Sequence, residues 1–279
     1  MGGTRKKRIR RMVLYIVLIW ITLLTLFPFY WMVRTSVMDL GDIFAIPLIF
    51  LPKNIEFGHY QEAFAVFPLG RYFLNSCLIT VLSTIGALLS SSLCAFGFSR
   101  IRWKAREWVF TVTLSSMLLP AAVTIIPTFL LWRKAGVTDS YLPLIVPWWL
   151  GGGAMHIFLL RQFFRTIPLE LDESAKVDGA SYWQIYSRII LPLSKPAMTV
   201  VMIFAFTASW NDFLSPIIYL NSQDKYTMSI GLQLFMTAYQ TSWNQLMAAA
   251  VVAVLPCAVL FLAGQRHIVG GINISGIKG

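Results

Sequence analysis

The sequence predicts an all-α membrane protein with six transmembrane helices and a cytoplasmic helix-turn-helix segment between the fourth and fifth of them. The first observation is composition: 57% of the 279 residues are hydrophobic and only 13% are charged, which is far more apolar than an ordinary soluble domain. The second is that the polar residues lie in separate islands. The third is the length of the apolar stretches between these islands, since a helix of about 20 apolar residues crosses a bilayer with every backbone polar group paired.

Six apolar stretches are long enough to form membrane-spanning helices. We place them at residues 12–33, 72–98, 108–131, 141–160, 197–220 and 246–263. Prolines in the third and fourth stretches, and the run Gly151 to Gly153 in the fourth, predict kinked or interrupted helices, because proline removes a backbone donor. A break persists at membrane depth only where protein or water satisfies the backbone, so it either lines a solute path or is an ordinary packing kink.

Basic residues predict the orientation of the chain. Most of the 23 Lys and Arg residues fall on one side of the membrane when both termini are cytoplasmic, and positively charged loops stay inside. Their position in loops argues against a nucleic-acid partner. The resulting plan is a basic cytoplasmic N-terminus at 1–11, a six-helix transmembrane domain at 12–265 and a cytoplasmic tail at 266–279. The first apolar run exceeds the core of a signal peptide, so we expect an uncleaved first helix.

Residues 167–195, between the fourth and fifth spans, have the pattern of a helix, a turn and a second helix. Pro168 suits the first position of a helix, and the carboxylates that follow it complement the positive end of the helix dipole. Gly179 can supply the left-handed residue that ends this helix. Ser181 and Gln184 have the spacing of a capping box and begin the second helix.

The second helix of this segment is amphipathic, with Tyr182, Ile185, Tyr186 and Ile189 on one face. An apolar face in the cytosol needs a partner, and a groove on another protein is a recurrent solution. A helix lying on the membrane surface is the alternative. The pattern therefore predicts docking without identifying the partner.

A longer motif runs through the same segment: a glutamate and two small residues, a glycine after three further positions, an isoleucine after nine more, and Leu-Pro after one more. Its residues here are Glu173, Ser174, Ala175, Gly179, Ile189, Leu191 and Pro192. The motif resembles the EAA motif of ABC importer permeases, with Ser174 in place of the usual alanine. The resemblance implies a coupling helix that sits in a cleft of a cytosolic ATPase subunit and converts nucleotide-driven closure into gate movement. We add Asp178, Tyr182 and Ile185 to the motif residues as ATPase-coupling candidates.

Two shorter segments resemble the maltose-type carbohydrate uptake group of the same family. They are Ser209 to Phe213 in the fifth span and the stretch from Gln265 to Gly279, in which Ile277 stands where valine is usual. Together with the hydropathy pattern, the resemblance covers nearly the whole chain. It implies a bacterial inner-membrane protein whose solute is a sugar or an oligosaccharide, with a non-sugar solute as the alternative.

The resemblance also implies the partners. No GxxxxGK[ST] sequence is present to bind the phosphates of ATP, so we expect no cofactor on this chain, and ATP with Mg on two cytosolic ATPase subunits. A second, homologous but non-identical permease completes the membrane part, and an extracytoplasmic solute-binding protein delivers the solute. The polar and aromatic outer loop at 221–244 either reaches into that protein or is a plain connector.

Trp210, Asn211 and Asp212 are the candidates for a solute path, because an ionisable group within a span is costly and turns toward protein or water. Aromatic faces and hydrogen bonds suit a sugar, whereas holding two helices together is the alternative role. His156 has no ionisable neighbour within its span, which favours packing or a hydrogen bond over a proton relay. The three cysteines fall in apolar runs and fit small buried positions.

Two other functional classes have weaker support. An ion-coupled secondary transporter needs cation ligands near the membrane midplane and usually internal repeats, whereas Asp212 is the only obvious carboxylate and no repeat is visible. A membrane-embedded enzyme would need a motif such as HExxH or GxSxG, and the sequence contains neither. We therefore expect a transport subunit with no catalytic residues and no metal site, in which a bulky replacement of Gly179 uncouples transport.

Overall fold

The computed structural model describes residues 2–237 and 242–275, which form helices and connecting turns without a strand. The chain divides into two compact units, residues 1–69 with 232–254 and residues 70–231 with 255–279, and each is described by itself. The predicted all-α class is confirmed. The end of the predicted C-terminal tail and part of the predicted outer loop lie outside the described residues.

The helices follow one another in this order. The first part of the chain forms α1 (Gly2–Ser36), α2 (Leu40–Ile43), α3 (Gly58–Val66), α4 (Leu69–Arg100), α5 (Arg106–Ser115), α6 (Ala121–Lys134), α7 (Leu142–Trp149) and α8 (Ala154–Thr166). The rest forms α9 (Glu170–Val177), α10 (Tyr182–Gln184), α11 (Leu191–Leu193), α12 (Lys195–Trp210), α13 (Leu214–Tyr219), α14 (Met228–Thr237) and α15 (Trp243–Ser275). A π-helical stretch, Ile185–Ile190, joins α10 to α11.

Among the described residues, four helical stretches are long and apolar enough to cross a membrane. They are Lys7–Ser36, Leu69–Arg100, Leu142–Thr166 and Trp243–Gln265. Two bent pairs of helices, Arg106–Leu118 with Ala122–Lys134 and Tyr182–Leu193 with Lys195–Trp210, raise the number to six if each pair counts as one span. A membrane protein with several spans is therefore confirmed, and the count of six stays a prediction.

The fifth predicted span, 197–220, is wrong as a single helix. The structure ends α12 at Trp210 and begins α13 at Leu214. At this break the Asp212 carboxylate accepts a hydrogen bond from the backbone N–H of Ser215, at 3.1 Å. Short polar side chains such as aspartate compete with the helical ladder for backbone partners, so the polar residues that marked a solute path also end the helix.

The predicted interruption of the fourth span lies between α7 and α8. The run Gly151 to Gly153 has positive φ throughout, at 107°, 66° and 96°. A Cβ atom on Gly152 would lie 2.5 Å from the carbonyl oxygen of Ala87, so glycine allows the break to pack closely against α4. Ser90 donates from its hydroxyl to the carbonyl of Trp148 at 2.9 Å, which satisfies one backbone group at the break.

His156 and the cysteines test two smaller predictions. The Nδ1 atom of buried His156 hydrogen-bonds with the carbonyl of Gly152, and its ring stacks on Trp148 with centroids 6.0 Å apart. A packing and hydrogen-bonding role for His156 is thus confirmed. Cys77, Cys94 and Cys257 are free thiols, each only partly buried, so they are less buried than the sequence predicts.

In the first unit, the buried His59 of α3 is surrounded by carboxylates. Its Nε2 atom lies 3.8 Å from Glu56 and 4.0 Å from Asp39, and its Nδ1 atom lies 3.3 Å from Glu62. The amide of Asn244, at the start of α15, lies within 3.3 Å of the same ring. The ligand atoms of Asp39, Glu56 and His59 are close enough to hold a metal ion, but exposed acidic groups commonly cluster without one.

In the second unit, a buried apolar cluster joins the ends of α4 and α8 to the π-helical stretch. Its buried members are Ala95, Phe96, Leu160, Phe164, Ile167, Ile185, Tyr186, Ile190 and Val201. The hydroxyl of Tyr186 shares a hydrogen bond of 2.7 Å with the hydroxyl of Ser92. This cluster positions the segment at 167–195.

Candidate functional site

The turn of the segment at 167–195 has the geometry that the sequence predicts. Gly179 has a φ of +79°, in the left-handed region. Its N–H donates to the carbonyl of Lys176 at 3.0 Å, and the N–H of Ala180 donates to the carbonyl of Ala175 at 2.8 Å. These two bonds form a Schellman motif, which closes the C-terminus of α9. The first helix ends where predicted, although it begins at Glu170 rather than at Pro168.

The second helix begins with the predicted capping box. The backbone N–H of Ser181 donates to Oε1 of Gln184 at 2.7 Å, and the N–H of Gln184 donates to Oγ of Ser181 at 3.3 Å. This reciprocal pair satisfies two donors that a helix N-terminus leaves free. The capping box and the Schellman motif together fix the bend between α9 and α10.

The predicted docking face of the second helix is wrong in part. Ile185 and Tyr186 are 1% and 3% exposed, because they pack into the chain's own apolar cluster, and Ile189 is partly buried. Tyr182 alone of the four predicted residues is clearly exposed, at 48%. The helical spacing of the apolar residues identified the buried face correctly. It does not show whether that face packs against a partner protein or against other helices of the same chain.

Exposed apolar side chains of the segment lie mostly on α9 and the start of α10. We refer to Leu169, Leu171, Val177, Tyr182 and Trp183 as the exposed apolar group. Sequence reasoning missed all but Tyr182. The available signal was the presence of large apolar residues on a helix otherwise rich in charge, since such residues contact water in an isolated chain.

The motif residues divide between two environments. Glu173, Ser174, Gly179 and Pro192 are exposed, as is the additional coupling candidate Asp178. Two others pack against the apolar cluster: Ala175 and Leu191. Exposed and packed residues thus occur in both the N-terminal and the C-terminal part of the motif.

A cavity of about 590 Å³ lies beside this segment and is rich in cationic side chains. Its lining residues are Ser99, Arg100, Arg102, Arg106, Arg165, Leu169, Asp172, Glu173, Lys176 and Tyr182. Because basic residues outnumber acidic ones here, the cavity has a positive potential toward any group that approaches the segment.

Arg100 and Asp172 meet at the wall of this cavity, and sequence reasoning missed both. Nη1 of Arg100 lies 3.5 Å from Oδ2 of Asp172, and their side chains are only 1% and 7% exposed. Burial raises the pKa of the Asp172 carboxyl, whereas the charges of Arg100 and Lys176 oppose that rise. The signal for Arg100 was a charged residue at the end of a membrane helix, where it turns toward protein or water.

The three solute-path candidates are placed differently. Trp210 is 6% exposed, and its ring packs edge-on to Phe73 and stacks with Phe206, at centroid distances of 5.6 and 5.8 Å. Asp212 caps α13 and accepts a hydrogen bond from Ser229 on its carbonyl at 2.8 Å. Asn211 is exposed and does not share a cavity with the other two.

Trp210 and Asp212 line one narrow cavity of the second unit. The other lining residues are Ser76, Ile79, Thr80, Leu144, Trp148, Ser209, Pro216 and Thr227. Its volume is about 10 Å³, which holds about one water molecule and no sugar ring. In this conformation the polar and aromatic groups are brought together, but the path between them is closed.

The outer loop predicted at 221–244 is largely structured, because α14 begins within it at Met228. Asp139, between α6 and α7, holds its first residues: its Oδ1 accepts bonds from the N–H groups of Asn221 and Ser222, at 2.9 and 3.0 Å. Nζ of Lys225 lies 2.8 Å from the second carboxylate oxygen. The hydrogen bonds from Lys225 and Ser222 hold the pKa of Asp139 far below its ordinary value.

Comparison with known proteins gives three findings. Residues 87–273 match the family model described as "Binding-protein-dependent transport system inner membrane component". The chain is 32% identical to the lactose transport system permease protein LacG of Rhizobium radiobacter, over 98% of each chain. It is 30% identical to the inner membrane ABC transporter permease protein YcjP of Escherichia coli K12, over 99% of this chain and 100% of that one.

A solved structure has a similar fold. It is a chain of a bacterial ABC transporter involved in the import of the acidic polysaccharide alginate, with a TM-score of 0.82 and 21% identity. The similarity covers 94% of this chain and 97% of that chain. The family match also includes the segment at 167–195 and the residues from Trp210 to Asp212.

Proposed function

This chain belongs to the family of binding-protein-dependent transport system inner membrane components, and we propose that it serves as a permease subunit in the import of a sugar or an oligosaccharide. Support for the solute class comes from relatives such as LacG, a permease of a lactose transport system. The energy comes from other polypeptides, because the sequence has no phosphate-binding GxxxxGK[ST] loop.

The observation that carries the coupling role is the rigid, exposed turn at Gly179. The Schellman motif and the capping box on its two sides fix its shape, while Glu173 and Asp178 remain at the surface. Such a turn meets a partner without first paying the conformational entropy of ordering a loop. We assign the exposed apolar group and these carboxylates to the contact with a cytosolic ATPase subunit, where ATP and Mg are bound.

The proposed assembly contains two permeases, two ATPase subunits and an extracytoplasmic solute-binding protein. The family description itself names dependence on a binding protein. We propose a second, homologous but non-identical permease, which the resemblance to ABC importer permeases implies. The outer loop that Asp139 holds in place is proposed to face the solute-binding protein.

The proposed solute path passes Trp210, Asn211 and Asp212. Aromatic faces pack against sugar rings, and carboxylate and amide groups accept and donate hydrogen bonds to hydroxyls. Since the cavity is closed, a sugar enters only when α12 and α13 separate from α4. Asn211, already exposed at the break between α12 and α13, contacts solute once the path opens.

The proposed orientation places both termini in the cytoplasm, with the membrane domain at 12–265, the coupling segment at 167–195 within it, and the tail at 266–279. The basic residues of 1–11 support this orientation. Labelling of single cysteines with a membrane-impermeant reagent tests it. Labelling at Ser222→Cys and protection at Ser174→Cys in intact cells are expected, and the reverse pattern contradicts the orientation.

Reconstitution tests the proposed function. The chain, co-expressed with its neighbouring permease and ATPase, is placed in liposomes, and ATP hydrolysis is measured with and without sugar-loaded binding protein. Stimulated hydrolysis with sugar accumulation supports the importer. Uptake by this chain alone, independent of ATP and abolished by collapsing an ion gradient, supports a secondary transporter instead.

A further inference from the structure

Arg100 joins three elements of the second unit at one buried point. It lies in the last turn of α4, and its side chain is 1% exposed. Its Nη2 donates to the carbonyls of Phe164 and Ile167, at the end of α8, at 2.6 and 2.8 Å. Its Nη1 faces the carboxylate of Asp172 on α9. One guanidinium thus contacts two membrane helices and the first helix of the coupling segment.

The two carbonyls and the Asp172 carboxylate together stabilise the buried positive charge of Arg100. The carbonyl of Phe164 lies in the last turn of α8, at the negative end of the helix dipole, and the carbonyl of Ile167 follows directly after the helix, so both attract a cation. Two such carbonyls do not neutralise a buried guanidinium, and Asp172 supplies the opposite charge. Breaking a buried pair by removing one member strongly destabilises its surroundings, because the remaining charge has no solvent.

Asp172 is also the only residue of α9 that is buried. Apart from the partial packing of Ala175 on the apolar cluster, the apolar residues of this helix, Leu171 and Val177, are exposed. The attachment of α9 therefore depends mainly on one polar side chain. Displacement of α9 therefore separates Asp172 from Arg100 and leaves two largely buried charges without their partner.

The pair is incompletely matched in this conformation. The gap of 3.5 Å exceeds a good charge-assisted hydrogen bond. Nε and Nη1 of Arg100 and Oδ1 of Asp172 are buried without a hydrogen-bond partner. Buried polar atoms without partners are rare and costly, so a small movement of α9 toward α4 improves the pairing of Nη1 with the Asp172 carboxylate.

We propose that Arg100 and Asp172 are the positioning pair that transmits movement of α9, the helix at the ATPase contact, to membrane helices α4 and α8. The inference rests on the proposed coupling role of the segment at 167–195. In this arrangement, closure of the ATPase subunits moves α9 and tightens the pair. The guanidinium then moves the end of α8 through the carbonyls of Phe164 and Ile167.

The test uses the whole reconstituted complex with a matched set of variants. Asp172→Asn removes the charge and keeps the shape, and Asp172→Glu keeps the charge. Glu170→Gln is the control, because this carboxylate is on the same helix but exposed. The measured quantity is the sugar transported per ATP hydrolysed in the presence of loaded binding protein. Asp172→Asn is expected to lower it roughly tenfold or more, Asp172→Glu to restore most of it and Glu170→Gln to leave it unchanged.

The double variant Arg100→Met with Asp172→Leu separates transmission from stability. Replacing both members of a buried ion pair by apolar groups is often neutral for stability. We expect this variant to retain its ATPase subunits on purification but to transport as little sugar per ATP as Asp172→Asn. Full transport by the double variant, or by Asp172→Asn, overturns the proposal. If the double variant loses its ATPase subunits, the comparison of Asp172→Asn with Asp172→Glu decides.

The wild-type complex distinguishes failure of the proposed importer function from failure of the positioning role of Arg100 and Asp172. If it shows no sugar-stimulated hydrolysis and no uptake, the proposed function fails. If it transports normally and Asp172→Asn transports equally well, only the positioning role of the pair fails.

Discussion

The two halves of the segment at 167–195 are held to the rest of the second unit in different ways. The half after Gly179 buries Ile185, Tyr186 and Ile190 in an apolar cluster. The half before it, α9, buries only Asp172. Apolar packing resists displacement in every direction because interiors are close-packed, whereas one ion pair constrains one point. In this comparison the second half is the anchor, and we propose that the first half, which we call the mobile half, moves with a partner.

The largest expected effect is in the anchor. Ile190→Ala removes a fully buried side chain and leaves a cavity, which typically costs about 2–5 kcal/mol. We expect a marked fall in the thermal unfolding temperature of the purified complex, measured in detergent. Tyr182→Ala is the control, since this side chain is 48% exposed and its loss leaves no cavity. Equal losses from the two variants would contradict the division between anchor and mobile half.

The next effect is at the boundary between the halves. Gly179→Val forces a β-branched residue into a φ of +79°, at a cost of about 1–3 kcal/mol, although no atom lies within 4 Å of the added Cβ. We expect the turn to change shape and sugar-stimulated ATP hydrolysis to fall. Gly179→Asn tolerates the left-handed region and is expected to retain most of this activity. If the valine and asparagine variants hydrolyse ATP at the same rate, the left-handed backbone conformation of Gly179 is not required for this activity.

A third prediction concerns the mobile half, where stability and association should separate. Val177 is 88% exposed on α9. Val177→Asp is expected to change the unfolding temperature by little, because exposed substitutions usually alter stability by less than about 0.5 kcal/mol. It is expected to reduce the amount of ATPase subunit that co-purifies. Val177→Ala serves as the milder control, and full retention of ATPase by the aspartate variant contradicts the docking role.

The smallest expected effect lies outside both halves of the segment, in the loop that follows Leu220. Asp139→Asn removes the charge that pairs with Lys225, and we expect faster amide hydrogen exchange at Asn221 and Ser222 with little change elsewhere. Because the native pKa of Asp139 is lowered, its stabilisation is present above the ordinary value of 3.8 and is lost as pH falls toward the lower native value.

Lys225, which pairs with Asp139, sets the upper pH limit of the same stabilisation. The native pKa of Lys225 is raised by Asp139, so its contribution is present below the ordinary value of 10.5 and is lost as pH rises through the higher native value. Protection of the loop should therefore be constant near neutral pH in the wild type. A steep change of exchange protection between pH 6 and 8, beyond the intrinsic rate, would contradict this assignment.

Features that depend on residues close together in the sequence were predicted better than features that depend on distant ones. The left-handed turn at Gly179 and the capping box of Ser181 with Gln184 involve residues only a few positions apart, and both are confirmed. The amphipathic face was identified by its period, but its partner was not, since Ile185 and Tyr186 contact helices distant in sequence. Asp212 was recognised as unusual within a span, yet the break that it caps was not predicted.

Taken alone, the sequence determined the all-α membrane class, the broken fourth span, the motif at Glu173 to Pro192 and the family. The class and the broken span follow from composition and from local spacing, where neighbours are set by the period of the backbone, whereas the family follows from the resemblance of the motif. Tertiary structure decided that Asp172 meets Arg100, and that Trp210 and Asp212 share a closed cavity while Asn211 does not. Such contacts depend on which helix faces meet, and that is fixed by the packing of the whole unit rather than by the spacing of residues along any one segment.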